Sequence, residues 1–67
     1  MSKVVKVIEV LAQSKKSWED AANNAIREAS KSVKDIKSIN IVNTSAKVKK
    51  NKIVMYRITA QISFIVL

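Results

Sequence analysis

From Val54 to Val66 the chain alternates without a break. Val54, Tyr56, Ile58, Ala60, Ile62, Phe64 and Val66 fall on one face. Met55, Arg57, Thr59, Gln61 and Ser63, then Ile65 and Leu67, fall on the other. Strand side chains alternate with period two, whereas a helix repeats every 3.6 residues, so this run is a strand. About 16 residues at about 3.3 Å each give roughly 53 Å of strand. A compact domain of this chain's length has a radius of gyration of about 11 Å and a diameter of about 28 Å. The strand must therefore curl strongly around another element or reach into neighbouring copies.

The rest of the chain supplies what such a strand can pair with. Residues 3–11 (KVVKVIEVL) are β-branched and alternate, with Val5, Val7, Glu9 and Leu11 on one face and Val4, Lys6, Ile8 and Val10 on the other. Residues 12–16 read as a polar connection. Ser17 is a helix cap, and Asp20 stands three residues on in capping-box position. Trp18, Ala21, Ala22, Ala25, Ile26, Ala29 and Val33 then recur at helical spacing. A stripe made mostly of Ala approaches a flat surface closely, so a sheet is its natural partner. From Ile36 the period returns to two and runs to Val48, with Ile39 and Ile41 on one face and Ser38, Asn40, Val42, Thr44, Ala46 and Val48 on the other. Residues 49–52 (KKNK) form a turn, with Asn51 as its left-handed residue. The expected fold class is α+β, in the order β-α-β-β: three antiparallel strands wrapped around one helix, in a single domain over 1–67.

Composition excludes several functions. The 67 residues contain no Gly, so glycine-rich phosphate loops are ruled out. The chain has no Cys or His, so thiolate–zinc sites and the commonest general base are missing too. No hydroxyl stands in an evident nucleophile–base constellation, and Glu19 and Asp20 serve the helix start, so we expect no enzyme. A domain this small buries only about 60% of its unfolded surface and ordinarily needs a staple. With disulfides and zinc gone, oligomerisation remains. The tail from Phe64 to Leu67 is apolar on both faces, which suits burial between subunits better than exposure. We expect no targeting segment and no membrane span, and a cytoplasmic location.

The stretches KVIEV, SWEDAANNAI and YRITAQISF, in this order and spacing, resemble the dodecin family over essentially the whole chain. The resemblance implies a non-enzymatic storage or binding protein assembled as a homododecameric shell, with a flavin such as FMN or riboflavin held in pairs at subunit interfaces. It also implies that the flavin is stacked by a Trp early in strand 2 and bonded by a Gln just after the strand-3 Tyr. Those positions are Ser38 and Arg57 here, so flavin binding is expected to be weak or lost. A stacked aromatic contributes roughly 1–3 kcal/mol by analogy with base stacking, which is about tenfold or more in affinity. The Tyr56-Arg57-Ile58 run resembles the flavin-poor branch called calcium dodecin.

The candidate cofactor residues are thus Ser38 and Arg57, with Asn40 and Tyr56 beside them. Arg57 suits a small anionic ligand carrying phosphate or carboxylate, while an intersubunit ion pair to Glu9 or Asp35 is the plainer reading. The candidate calcium ligands are Glu9, Glu28 and Asn24, although calcium wants six to eight oxygens and no DxDxDG-like spacing occurs. The formal charge is +8, about +96 over twelve copies, a field that draws anions and opposes cation binding. Lys47, Lys49, Lys50 and Lys52 form a basic hairpin tip. Contact with nucleic-acid phosphates is one reading, and a solvated tip is favoured over it because Tyr56 and Phe64 both face the apolar side and leave no aromatic to stack on bases.

Overall fold

A computed structural model describes residues 4–66. It contains β1 (Val4–Ser14), α1 (Trp18–Ala29), β2 (Ile36–Lys49) and β3 (Lys52–Val66). The three strands form one antiparallel sheet in the order β1-β3-β2, with β3 central. The long alternating run is therefore the element that both other strands template on. The expected start of β1 at Lys3 and the end of β3 at Leu67 lie outside the described residues.

The sheet's two faces differ. Ile58, Ala60, Ile62 and Phe64 of β3 are buried together with Ala21 and Ala25 of α1. Ala21 and Ala60 have no exposed surface at all, because two residues this small let the helix sit close on the sheet. Ile62 is the largest fully buried side chain, worth about 1.5–3 kcal/mol in burial. The opposite face carries no helix and is left open.

Three expected boundaries change. Residues 12–14 are strand rather than connection: Ala12, Gln13 and Ser14 pair with Ile58, Arg57 and Tyr56. Polar side chains do not end a strand whose partner continues to offer hydrogen bonds. The helix stops at Ala29 instead of Val33. Its end unwinds through Lys31 N–H to Glu28 C=O (3.2 Å) and Ser32 N–H to Ala29 C=O (3.0 Å), while Val33 N–H still reaches Ala29 C=O at 3.0 Å. The turn shrinks to Lys50 and Asn51, with φ of 51° and 65°, and Lys49 pairs with Lys52. Two residues at positive φ make a type I′ hairpin turn, whose twist matches the strands. Asp35, at φ 57°, makes a third left-handed bend just before β2.

The face pattern of β2 is also corrected. It holds through Ile41, which pairs with Ala60. A bulge then leaves Asn43 opposite Thr59, so Thr44 and Ala46 oppose Ile58 and Tyr56 on the helix side. Asn43 and Ser45 move to the open face. One extra residue reverses the parity from Asn43 to Lys47, where a second irregularity before Val48 shifts the register again.

The molecule measures 55 × 20 × 13 Å, with a radius of gyration of 13.9 Å. The long strand does not close into a ball of 28 Å. It keeps much of its length, and β1 ends where Ser14 meets Tyr56. Past that point β2 and β3 continue alone as a two-stranded ribbon to the turn.

Candidate functional site

The helix start is built around a buried serine. Ser17 Oγ accepts from the Asp20 N–H at 2.9 Å, as a cap should. The Asp20 carboxylate does not return the bond to Ser17. It accepts from the Ser14 hydroxyl at 2.6 Å, and Ser14 Oγ in turn accepts from the Lys16 N–H at 2.9 Å. This ties the end of β1 to α1. It holds Trp18 over the sheet, where the indole N–H donates to the Ser45 carbonyl at 2.8 Å and the ring meets Tyr56 edge-on at 4.9 Å.

Tyr56 and Arg57, adjacent in sequence, therefore serve opposite faces. Tyr56 is half-buried under Trp18, within the packing of the helix side. Arg57 is exposed on the open face between its strand neighbours Gln13 and Ser45. These residues line a groove of about 500 Å³ together with Leu11 and Thr59. Among the described residues no carboxylate pairs with Arg57, and the only ion pair is Lys31–Glu28. Its five-donor guanidinium is available to an acceptor from outside the chain.

Ser38 and Asn40 share the open face but stand elsewhere on it. The Ser38 and Ser63 hydroxyls are hydrogen-bonded to each other across β2 and β3. Asn40 Nδ2 donates to Gln61 Oε1 at 3.4 Å. Six residues of β3 separate Ser63 from Arg57, which is about 20 Å of strand. One chain thus does not bring Ser38 and Arg57 together.

The candidate metal ligands are divided as well. Glu9 is on the open face, paired with Gln61, which is paired in turn with Asn40. Asn24 and Glu28 line a groove between α1 and β1, on the other side of the sheet. There Asn24 Oδ1 accepts from Arg27 (2.8 Å), its Nδ2 donates to the Gln13 carbonyl (3.2 Å), and Glu28 holds Lys31 (2.8 Å). The Lys31 bond keeps the Glu28 carboxyl below its ordinary range. Among the described residues no three Asp or Glu gather around one point. Gln13, Ser45 and Gln61 were not singled out from sequence. The polar parity of β3 marks Gln61, whereas Gln13 and Ser45 reach Arg57 only through strand extension and the bulge.

What the fold presents is an open strand face with one guanidinium that, among the described residues, has no carboxylate partner. Comparison with known proteins gives the family. The dodecin family model matches residues 4–66. Calcium dodecin of Mycobacterium tuberculosis is 36% identical over 61 residues, covering 91% of this chain and 86% of that protein. Its crystal structure, described as having a novel calcium-binding site, aligns with a TM-score of 0.80 at 39% identity, covering 91% of this chain and 87% of that one. A variant of the T. thermophilus dodecin aligns with a TM-score of 0.93 over 98% of both chains at 18% identity. The Streptomyces coelicolor dodecin aligns at 0.91 over 97% of this chain and 93% of that one, at 15% identity. The chain belongs to the dodecin family. It is a small-ligand binding protein and not an enzyme. No helix among the described residues is long and apolar enough to cross a membrane.

Proposed function

We propose that this dodecin assembles as a homododecameric shell and holds a small anionic ligand where copies meet, with ring stacking of flavin weak or lost. The observation that carries this reading is the environment of the two exchanged positions. Ser38 is engaged with Ser63 and offers no ring, while Arg57 stands in an open groove without a counter-charge. Recognition shifts from stacking an apolar ring to binding charge through a planar fork.

The surface supports assembly. Val4, Val5, Val7 and Leu11 of β1 are all more than half exposed, as is Val42 of β2. A monomer rarely leaves so much apolar surface uncovered. Native mass spectrometry should give a species near 90 kDa, twelve copies of 7.5 kDa. A monodisperse 7.5 kDa monomer would refute the shell. Fluorescence quenching should show FMN, which carries a phosphate, binding more tightly than riboflavin, with the difference lost in Arg57→Gln. Equal affinity for both flavins would sink the anionic-ligand reading.

Calcium is a second reading, supported by the similarity to calcium dodecin. The row Glu9–Gln61–Asn40 sets one carboxylate and two side-chain amides in register on the open face, with Gln61 Oε1 accepting from Asn40 Nδ2. Three oxygens are half of calcium's needs, so a second copy or water must complete the shell. Calcium should then raise the melting temperature, and Glu9→Gln should abolish the rise.

A further inference from the structure

We infer that the two-stranded ribbon at the end of the β2–β3 hairpin is a contact surface for the phosphate backbone of duplex DNA. All five acidic residues lie between Glu9 and Asp35. From Ile36 onward the chain has Lys37, Lys47, Lys49, Lys50, Lys52 and Arg57, and no acid. Charge is thus segregated by element: the hairpin carries +6 and the remainder +2 of the total +8.

The fold concentrates this charge further. Lys47, Lys49, Lys50 and Lys52 are all exposed and lie beyond the end of β1, where only two strands remain. None is paired with a carboxylate among the described residues. Lys50 sits at φ 51°, in the left-handed region that a type I′ turn ordinarily fills with Asn or Gly. A lysine there is a local cost retained at the point of highest charge.

Duplex DNA fits this shape. The major groove is about 12 Å wide and admits a two-stranded ribbon. The ribbon has no free aromatic ring, since Tyr56 is engaged by Trp18. Base stacking on single strands is therefore not available, whereas lysine–phosphate contacts need no ring and read no sequence. This surface does not rest on the small-ligand reading, which concerns the open face near Arg57.

The test is fluorescence anisotropy of the intact protein with a labelled duplex of random sequence. Four lysines engaging four phosphates give a log–log salt slope of about −3.6 per ribbon engaged, so affinity should fall about 150-fold between about 50 and 200 mM salt. The variant K47Q/K49Q/K52Q should lose most binding and flatten the slope. K6Q/K31Q/K34Q removes three charges from other parts of the fold and should keep it. Lys50→Asn suits the turn better than lysine, cannot be dismissed as misfolded, and should lower the slope by about one. Absence of duplex binding, equal loss in both triple variants, or binding only to vesicles containing phosphatidylserine would each overturn the assignment.

Discussion

Trp18 stands edge-on to Tyr56, with ring centroids 4.9 Å apart and planes at 81°, and its indole N–H donates to the Ser45 carbonyl. One side chain at the first position of the helix thus reaches both strands of the hairpin. It anchors the ribbon's base while remaining 39% exposed. Trp18→Phe should cost about 1 kcal/mol, the net worth of the hydrogen bond. Trp18→Ala should cost about 2–3 kcal/mol, below the range for a fully buried ring. Urea unfolding monitored by circular dichroism measures both, and an unchanged stability in Trp18→Phe would remove the indole N–H from the account.

Ser14 is the buried polar link between β1 and α1. Ser14→Ala removes the donor to Asp20 and the acceptor for the Lys16 N–H together. A loss of about 1–3 kcal/mol is expected, because groups left partly buried lose their partners. Ser14→Thr keeps the hydroxyl and should recover part of the loss.

Placing at Ser38 and Arg57 the Trp and Gln that the family resemblance implies tests the reading of these positions. The double variant S38W/R57Q should bind riboflavin at least about tenfold more tightly than the parent, since one stacked ring contributes roughly 1–3 kcal/mol. Flavin fluorescence quenching reads the change. No gain in an assembled variant would show that the pocket around these positions has itself been reshaped.

The Glu28 carboxyl is held below its ordinary range, first by its hydrogen bond from Lys31 and then by that ammonium's charge. A depressed carboxylate adds stability above its unfolded pKa and loses it as pH falls through the folded one. The window is therefore acidic, below the ordinary carboxylate range. Both partners are exposed, so the effect on folding is small and salt-sensitive. Carbon-detected titration should show Glu28 moving up in Lys31→Gln and in high salt.

Legibility in the sequence tracked how local each cause was. The alternation of β3, the cap at Ser17 and the left-handed Asn51 depend on neighbouring residues, and all three stand in the fold. The extension of β1 through Gln13 and Ser14 depends on a partner about 45 residues away, so residues 12–16 read as a loop until β3 is laid beside them. The bulge after Ile41 has no local signature, yet it decides that Ser45 rather than Thr44 faces the groove with Arg57. Of the candidate site, the absence of a stacking ring at Ser38 and the presence of Arg57 were legible. Their separation along β3 was not.

The sequence by itself determined the order of elements, the long alternating strand and its hairpin with β2. Those follow from side-chain period and residue type, which act within a few residues. The tertiary structure decided which polar residues share a face, that Asp20 bonds Ser14, and that the four lysines stand on a two-stranded projection. Pairing register and bulges set these, because hydrogen bonds between distant strands choose partners that no local pattern encodes.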